Sequence, residues 1–252
     1  MKDKAERCIL YVPVFNRRAI ASESLTNLRT VKGAAHLCIE DDASTEFDGT
    51  LFADLGDSYI RHPSNLGIDA TRMAQLEAFL ASPFDHCYFT DSDTVHDPEF
   101  LSRLFQMLER TGCVSCLYNT STGYHKDQFN IDVGDDIVLR CSIPGVSMFF
   151  DKPLAARIWQ YYQDGLRFRP DFLKEQRSWD WMYCDVFPQV AFSRVSFVEH
   201  LYAGGLHAHG RDAAVNPTPY LIAEGARLRR KLRLYGPGAP IAESARPGRV
   251  SP

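Results

Sequence analysis

No run of 18 consecutive apolar residues occurs in the sequence, so no segment is long enough to be predicted as a membrane-spanning helix. The first eight residues, MKDKAERC, are mostly charged and lack the apolar region of a signal peptide. We therefore expect a soluble, cytoplasmic protein.

The sequence also lacks an excess of basic residues. The net charge is −4 over 252 residues, which argues against a nucleic-acid partner. The hydrophobic fraction of 45% and the charged fraction of 24% are those of an ordinary globular protein. The charge is unevenly placed, because residues 222–252 carry seven Lys or Arg against two Glu. A basic tail thus follows an acidic body.

Cysteine pairs with the spacing of a zinc site are lacking as well. The seven cysteines are an odd number, which favours reduced thiols. Cys113 and Cys116 form one C-x-x-C, but a second such pair is missing and the segment is predicted to be a strand. Four other cysteines lie in or beside apolar strand-like runs: Cys8, Cys38, Cys87 and Cys141. We therefore expect neither a zinc site nor a redox site.

The first 110 residues alternate short apolar runs with stretches of helical period. Predicted strands cover residues 8–12, 36–40, 59–61 and 86–90, with Pro13 ending the first. Predicted helices follow them at residues 20–31, 70–80 and, after an expected start at Asp97 and Pro98, at 100–108. This alternation predicts an α/β fold with a parallel sheet and helices on both faces.

The second half of the chain has a less regular pattern. Strands are predicted at residues 113–118, 145–150 and 190–198, with extended pieces at 129–133 and 137–141 and a polar loop at 119–127. Helices are predicted at 153–163 and 178–185. This order predicts a sheet of mixed strand direction.

Two carboxylates follow the central strand directly. Asp91 and Asp93 come after the apolar run 86–90, at the strand end where open parallel sheets bind ligands. Residues two apart in an extended chain point to the same side. Both carboxylates can therefore meet one divalent cation, and their hard oxygen ligands suit Mg²⁺ or Mn²⁺ with diphosphate oxygens completing the shell.

Five short motifs occur in a fixed order along the chain. The first is Pro13-x-x-Asn16-Arg17, which resembles P-x-Y-N-R with Phe15 in the Tyr place. Residues 39–45, IEDDAST, resemble V-D-D-G-S-T. Asn65-x-Gly67 with Arg72 resembles N-x-G-x-x-x-A-R-N, although Thr71 replaces Ala and Met73 replaces the last Asn. Asp91-Ser92-Asp93 and Gly145-x-Ser147 resemble a D-x-D and a G-x-S. Together they resemble the A-type glycosyltransferases of the inverting family 2.

The resemblance implies a fold and a division of the chain. The fold is the A-type glycosyltransferase fold, with a mixed, mostly parallel central sheet flanked by helices. Residues 1–212 would form the transferase domain, with a nucleotide-sugar half at 7–110 and an acceptor half at 111–212. Residues 213–252 would form a C-terminal helix and a disordered tail.

The resemblance also implies roles for residues of the first half. Asp41 would contact the base, Asp91 the ribose, and Asp93 the metal that bridges the diphosphate. The other residues assigned to the nucleotide sugar are Pro13, Asn16, Asn65, Gly67, Arg72 and Ser92. The implied cofactor is Mn²⁺ or Mg²⁺, and the implied donor is a nucleoside-diphosphate sugar, with a UDP-sugar favoured.

Residues of the second half are assigned to the acceptor and to catalysis. Asp180 is the candidate general base, because the family places an acidic residue at the start of a helix after the G-x-S strand, and Asp185 is the reserve. Trp179 and Trp181 flank Asp180 and are expected to stack on sugar. Gly145 and Ser147 are assigned to the acceptor side, and the acceptor is expected to be a saccharide or another hydroxyl-bearing molecule.

A histidine pair follows the last predicted strand. Many A-type enzymes supply a His from this region to the metal, so His207 or His209 is expected to be a ligand, with His207 preferred. His200, at a strand end, is expected to be structural.

The basic tail contains an amphipathic helical pattern. Leu221, Leu228, Leu232 and Tyr235 fall on one stripe opposite a basic face. Gly225 on that stripe weakens its first turn. The helix is expected to dock on its own domain or on a sister subunit of a homodimer. Peripheral attachment to an anionic inner membrane surface is the alternative.

Two other functions are compatible with the sequence. Residues 89–95, FTDSDTV, resemble the first motif of haloacid-dehalogenase-like phosphatases, in which Asp91 would be the nucleophile and Asp93 the acid. That motif usually opens its domain, whereas three strand-like units precede it here. The other alternative is an inactive module that keeps the fold and binds a nucleotide sugar.

Overall fold

The computed structural model describes residues 2–48, 50–117, 131–140, 145–168, 179–187 and 189–201. The predictions for the loop 119–127, for His207 and His209 and for the tail 213–252 lie outside these residues. The predictions for both halves of the transferase domain are therefore compared with the part of the chain up to Leu201.

The described residues form eleven strands and six helices. The strands are β1 Cys8–Val14, β2 His36–Asp41, β3 Ser58–Arg61, β4 His86–Thr90, β5 Thr94–His96, β6 Ser115–Cys116, β7 Ile131–Gly134, β8 Ile137–Arg140, β9 Ser147–Asp151, β10 Val190–Ser193 and β11 Val198–His200. The helices are α1 Lys2–Glu6, α2 Arg18–Val31, α3 Ile68–Ala81, α4 Phe100–Thr111, α5 Lys152–Phe168 and α6 Trp179–Val186.

The predicted mixed sheet is confirmed. Nine strands lie in the order β3-β2-β1-β4-β9-β6-β10-β8-β7, so strands of both halves share one sheet. The pairs β1–β2, β1–β4 and β2–β3 are parallel, whereas β9 pairs antiparallel with β4 and β6. β4, the strand before the D-x-D, is therefore covered on both sides by neighbours and lies in the buried centre of the fold.

The first strand is longer than predicted. All seven residues of Cys8–Val14 are buried, as expected of a strand in the middle of a parallel sheet. The prediction that Pro13 ends the strand is wrong. β1 pairs with β4 only as far as Tyr11, whereas it continues beside β2 to Val14. Beyond Tyr11 one side of β1 has no partner strand, so the missing N–H of Pro13 is tolerated there.

Helix α4 carries the predicted apolar stripe but begins later. Its buried residues are Phe100, Leu101, Leu104, Phe105, Met107 and Leu108. Asp97 and Pro98 precede the helix in a turn, in which Oδ1 of Asp97 accepts a hydrogen bond from the N–H of Glu99 at 2.9 Å. Gly112 ends the helix with φ +63°, the left-handed conformation common after a last helical residue.

The strand predicted over 190–198 is two strands in two sheets. β10 belongs to the large sheet, whereas β11 pairs antiparallel with β5, a strand that was not predicted. Side chains of α2 hold β5 in place. Ser24 Oγ donates to the carbonyl of Thr94 at 2.6 Å, and Asn27 accepts from the N–H of His96 at 2.7 Å. Such long-range partners leave no local pattern in the sequence.

Five cysteines are free thiols in this structure: Cys8, Cys38, Cys87, Cys113 and Cys116. Cys116 is buried and Cys113 is half-buried. Burial raises the pKa of the Cys113 thiol, which disfavours the reactive thiolate. Among the helices that the structure describes, none has the length and apolar character to span a membrane.

The end of α4 allows a test of its backbone conformation. Nothing lies within 4 Å of a Cβ built on Gly112, so replacement with Ala causes strain but no clash. We expect Gly112→Ala to lower the free energy of unfolding by about 1 kcal/mol, because the left-handed conformation disfavours a Cβ. Gly112→Asn should lose less, since Asn tolerates this conformation. Equal losses in urea unfolding would contradict the explanation.

Candidate active site

The motifs of the first half meet at one edge of the sheet. β1, β2 and β4 are parallel neighbours, so their carboxyl ends lie side by side. The segments that leave them are residues 15–18, 42–46 and 91–93. Open α/β sheets bind their ligands at this edge. The structure thus brings together the residues predicted for the nucleotide sugar.

Each carboxylate of the D-x-D forms an ion pair with an arginine from another motif. Asp91 Oδ1 accepts from Arg72 Nη2 at 2.9 Å, and Asp93 Oδ2 accepts from Arg17 Nη1 at 3.0 Å. Arg72 lies in α3, whereas Arg17 directly precedes α2. The D-x-D therefore lies between two guanidinium groups, an arrangement that sequence reasoning did not predict. The adjacent Ser92 is half-buried.

Arg72 is fully buried and held from several sides. Its Nη2 also donates to the carbonyl of Thr90 at 2.7 Å. Its guanidinium carbon lies 4.9 Å from the ring centre of Phe89 and 5.0 Å from that of Trp179. Burial lowers the pKa of the guanidinium, and the charge of Asp91 opposes this effect. The cation at this position is therefore fixed by its surroundings.

Trp179 supports Arg72 in this structure. Its side chain is 3% exposed and packs against Phe89 and Tyr183. Its backbone N–H donates to Oδ1 of Asp69 at 2.8 Å, which fixes the start of α6 on α3. The predicted contact of Trp179 with a sugar is not supported by this buried position.

The two candidates for the general base lie on α6. Asp180 is its second residue and follows Trp179, so its backbone lies close to the groups that surround Arg72. Trp181 is the next residue of the same helix. Asp185 is exposed and accepts a hydrogen bond from the hydroxyl of Tyr161 at 3.1 Å, which places it beside α5. The choice of Asp180 stays a prediction.

The loop after β1 is fastened to the loop after β2. Asn16 and Arg17 adopt left-handed φ angles of 55° and 56°. Oδ1 of Asn16 accepts from the N–H groups of Thr45 and Glu46 at 2.7 and 3.1 Å. Oε2 of Glu46 accepts from the N–H of Arg17 at 2.7 Å. These bonds hold an unfavourable backbone conformation, and Asn16 therefore has a structural role beside its predicted one.

Asp41 is completely buried and fully engaged. Its Oδ1 accepts from the N–H of Ser44 at 2.8 Å, and its Oδ2 accepts from the hydroxyl of Tyr59 at 2.7 Å and from Arg61. Burial and the bond to Asp41 raise the pKa of Tyr59 to about 12. The predicted contact between Asp41 and a base stays a prediction, and it would add to these existing bonds.

Asp42 positions the turn that contains Asn65 and Gly67. Its two carboxylate oxygens accept from the N–H groups of Leu66 and Gly67 at 2.7 and 2.9 Å. Asn65 Nδ2 donates to the carbonyl of Asp42 at 3.2 Å. Gly67 has φ +80°, which favours glycine. Sequence reasoning assigned Asp41 a role and missed Asp42, although the acidic pair stood at a strand end.

Three large apolar side chains are exposed among the described residues. They are Phe15, Ile60 and Leu66, at 44%, 46% and 44%. Phe15 follows β1, Ile60 lies on β3 and Leu66 lies in the turn fastened by Asp42, so all three belong to segments that surround the ligand-binding edge of the sheet. Pro13, by contrast, is buried within β1.

A buried set of hydrogen bonds connects Ser147 through Tyr88 to His96. The hydroxyl of Tyr88 donates to Ser147 Oγ at 2.9 Å. Because its proton is thus used, this hydroxyl accepts from Nε2–H of His96 at 3.0 Å. Burial lowers the pKa of His96 to about 3, so the ring is neutral at neutral pH. Ser147 lies in β9 after Gly145, and its burial gives it a supporting position instead of the predicted contact with an acceptor.

The set of hydrogen bonds continues to the D-x-D. Thr94 Oγ1 donates to the carbonyl of Asp91 at 2.8 Å, so its oxygen accepts from Thr90 Oγ1 at 3.1 Å. Thr90 Oγ1 in turn accepts from His96 Nε2 at 3.2 Å. The G-x-S serine and the D-x-D are therefore linked through one buried set of hydrogen bonds.

Asp93 carries the feature that fits a cation. Its Oδ1 is buried and has no hydrogen-bond partner, while Oδ2 faces Arg17. Carboxylate oxygens are the ligands that Mg²⁺ and Mn²⁺ prefer. Within the residues described, no cluster of three or more His, Cys, Asp or Glu side chains surrounds a common point. The N–H of Leu201 donates to the carbonyl of Asp93 at 2.7 Å, and His207 follows six residues later in the sequence.

Comparison with known proteins identifies the family and the fold. The family model described as "Glycosyl transferase family 2" matches residues 9–177. The crystal structure of TarS from S. aureus is similar, with a TM-score of 0.51 and 15% identity over 76% of this chain and 36% of that chain. No curated protein matches the sequence at a significant level.

Two further structures of S. aureus TarS residues 1–349 are also similar. The complex with UDP-GlcNAc gives a TM-score of 0.49 and 13% identity over 76% of this chain and 57% of that chain. The complex with UDP gives 0.49 and 14% identity over 76% and 59%. The chain thus spans 36% of the length of the first TarS chain, and that likeness establishes the A-type glycosyltransferase fold.

The buried histidine predicts a pH dependence of stability. The pKa of His96 is about 3 when folded and 6.5 ordinarily, so the unfolded chain binds more protons between these values. Stability therefore falls as the pH falls through this window. Between pH 7 and pH 5.5 we expect the free energy of unfolding to fall by about 1 kcal/mol more in the wild type than in His96→Gln, as measured by urea unfolding. The other histidines are present in both proteins, so equal pH dependence would contradict the assignment.

Proposed function

The chain belongs to glycosyl transferase family 2, and on this premise we propose that it transfers a single sugar from a nucleoside-diphosphate sugar to a hydroxyl acceptor with inversion. One observation carries the proposal. The D-x-D of Asp91 and Asp93 lies at the ligand-binding edge of the sheet between two arginines, beside the loops of the other motifs. Such a site has carboxylates that can bind a metal ion and guanidinium groups that can bind a diphosphate.

We propose a UDP-sugar as the favoured donor. Asp41 would accept from the base, and Asp91 would contact the ribose. The exposed ring of Phe15 offers an apolar surface for the base at the same edge. The turn at Gly67 leaves room for the close approach of a ligand to the backbone, since nothing lies within 4 Å of a Cβ built there.

The proposed reaction depends on a divalent cation, Mn²⁺ or Mg²⁺. Asp93 would hold it through the buried Oδ1, with Asp91 and with His207 or His209 as further ligands. When bound, such a cation stabilises the negative charge of the diphosphate leaving group. The hydrogen bond from Leu201 to Asp93 supports a histidine ligand, because Leu201 precedes both histidines by only a few residues and lies beside the D-x-D.

The chain's own residues would provide the rest of the chemistry. The bond between the sugar's anomeric carbon and the diphosphate oxygen breaks, and a bond from that carbon to the acceptor oxygen forms on the opposite face. Asp180 would take the proton of the acceptor hydroxyl. Arg72 would hold the Asp91 carboxylate in place through their ion pair, since Arg72 is itself fixed by Thr90, Phe89 and Trp179.

Further proposals concern partners and location. The acceptor is a saccharide or another hydroxyl-bearing molecule. The protein acts in the cytoplasm, and its basic C-terminal segment docks on its own domain, joins a homodimer or attaches to an anionic membrane surface. The phosphatase alternative is not retained, because the chain belongs to the transferase family. The inactive binding module is the remaining alternative.

Donor cleavage without an acceptor tests the function. We expect Mn²⁺-dependent release of nucleoside diphosphate from one member of a panel of UDP-, GDP- and dTDP-sugars. Without an acceptor, water attacks the sugar instead, so the donor is slowly hydrolysed. Asp93→Asn should abolish the release, since it removes the charge from the proposed metal ligand. The measurement is chromatography of the nucleotide with Mn²⁺ or with chelator.

A surface carboxylate provides the matched control. Asp135 lies in the turn between β7 and β8, at the other end of the sheet from β1 and β2, and pairs with Arg110. Asp135→Asn should therefore keep the release rate of the wild type. Binding of a donor without release, even with candidate acceptors, would favour the inactive module. Release that is unaffected by chelator would contradict metal dependence.

The general base is tested by a second pair of variants. We expect Asp180→Asn to slow donor cleavage by about 10²- to 10⁴-fold while donor affinity stays unchanged, because only the proton acceptor is lost. Asp185→Asn should have a smaller effect, since that carboxylate is exposed beside Tyr161. The reverse order of effects in single-turnover assays would move the role to Asp185.

A further inference from the structure

Both carboxylates of the D-x-D are already paired with arginines in this structure. Asp91 and Asp93 supply two negative charges, and their partners Arg72 and Arg17 supply two positive charges. The nearby Asp41 is likewise paired, with Arg61. A divalent cation that binds these paired carboxylates alone would leave the charges of Arg72 and Arg17 without full compensation from the D-x-D, and such an imbalance is costly in a partly buried site. A diphosphate brings at least two negative charges and removes the imbalance.

The two arginines differ in how firmly they are held. Arg72 is fully buried beneath the D-x-D and bonds to the backbone of β4 as well as to Asp91. Arg17 has a side chain that is 19% exposed, and it bonds to Asp93 Oδ2. Of the two arginines that pair with the D-x-D, Arg17 is therefore the one that a ligand in solvent can reach.

The backbone places Arg17 in advance. Its φ of 56° is unfavourable for a residue with a side chain, and its N–H is held by Glu46 at 2.7 Å. The neighbouring Asn16 has the same conformation and is fastened to Thr45. A strained turn that is held by several side-chain bonds points to a functional position for the guanidinium it carries.

We propose that Arg17 is a binding residue that makes the binding of cation and diphosphate cooperative. Its guanidinium neutralises Asp93 when the site is empty and so weakens the binding of a free divalent cation. When a diphosphate arrives with the cation, the same guanidinium gains a phosphate partner, and Asp93 is shared with the metal. This inference rests on the proposed metal-dependent use of a nucleoside-diphosphate sugar.

Binding of Mn²⁺ to the full chain tests the inference. Free Mn²⁺ is measured by electron paramagnetic resonance, with the protein alone and with UDP or GDP. The variants are Arg17→Gln, which removes the charge, Arg17→Lys, which restores it, and Arg18→Gln. Arg18 is an exposed neighbour, so its replacement removes one charge from the same helix start without touching Asp93.

We expect the wild type to bind Mn²⁺ on the order of tenfold more tightly with the nucleotide than without it. Arg17→Gln should bind Mn²⁺ alone about tenfold more tightly than the wild type and lose most of the coupling to the nucleotide. Arg17→Lys and Arg18→Gln should keep the coupling. A merely structural role of Arg17 would weaken both binding events together.

Three results would overturn the inference. Equal Mn²⁺ affinity in Arg17→Gln and Arg18→Gln would overturn it alone, with the proposed function intact. Absence of coupling in the wild type would do the same, and this measurement applies even if Arg17→Gln does not fold. Absence of Mn²⁺ binding by the wild type, with and without UDP or GDP, would overturn the proposed metal dependence and this inference with it.

Discussion

The ion pair between buried Arg72 and Asp91 connects the main parts of the site. The guanidinium belongs to α3, bonds to the end of β4 and packs against the rings of Phe89 and Trp179. A buried cation is unfavourable unless it is paired and hydrogen-bonded, so these contacts stabilise one another. The start of α6, which carries the candidate base, is thereby held next to the D-x-D.

The rest of the site follows the same principle, in which polar groups fix the conformation of the loops. Asp42 fixes the turn at Gly67, and Glu46 fixes the left-handed backbone at Arg17. The buried bonds from Ser147 through His96 fix the carbonyl of Asp91 from beneath. The ligand-binding edge is therefore built before a ligand arrives, which reduces the cost of ordering it on binding.

The sequence predicted elements well where one local pattern decides the structure. The apolar runs at β1, β2 and β4 and the stripe of α4 were identified because burial on a sheet or on one helix face leaves a regular spacing. Prediction from the sequence failed where a partner distant in the chain decides whether a strand forms. β5 exists because Ser24 and Asn27 of α2 hold its backbone, and the segment 190–198 divides because β11 pairs with β5.

The same division applies to the site. The sequence alone determined that Asp91 and Asp93 follow a central strand and that the other motifs follow its neighbours, because parallel strands must end at one edge. Only the tertiary structure decided which groups meet there. Arg17 and Asp93 are 76 residues apart in the chain, and Trp179 turned inward onto Arg72, since a buried cation and an aromatic face stabilise each other.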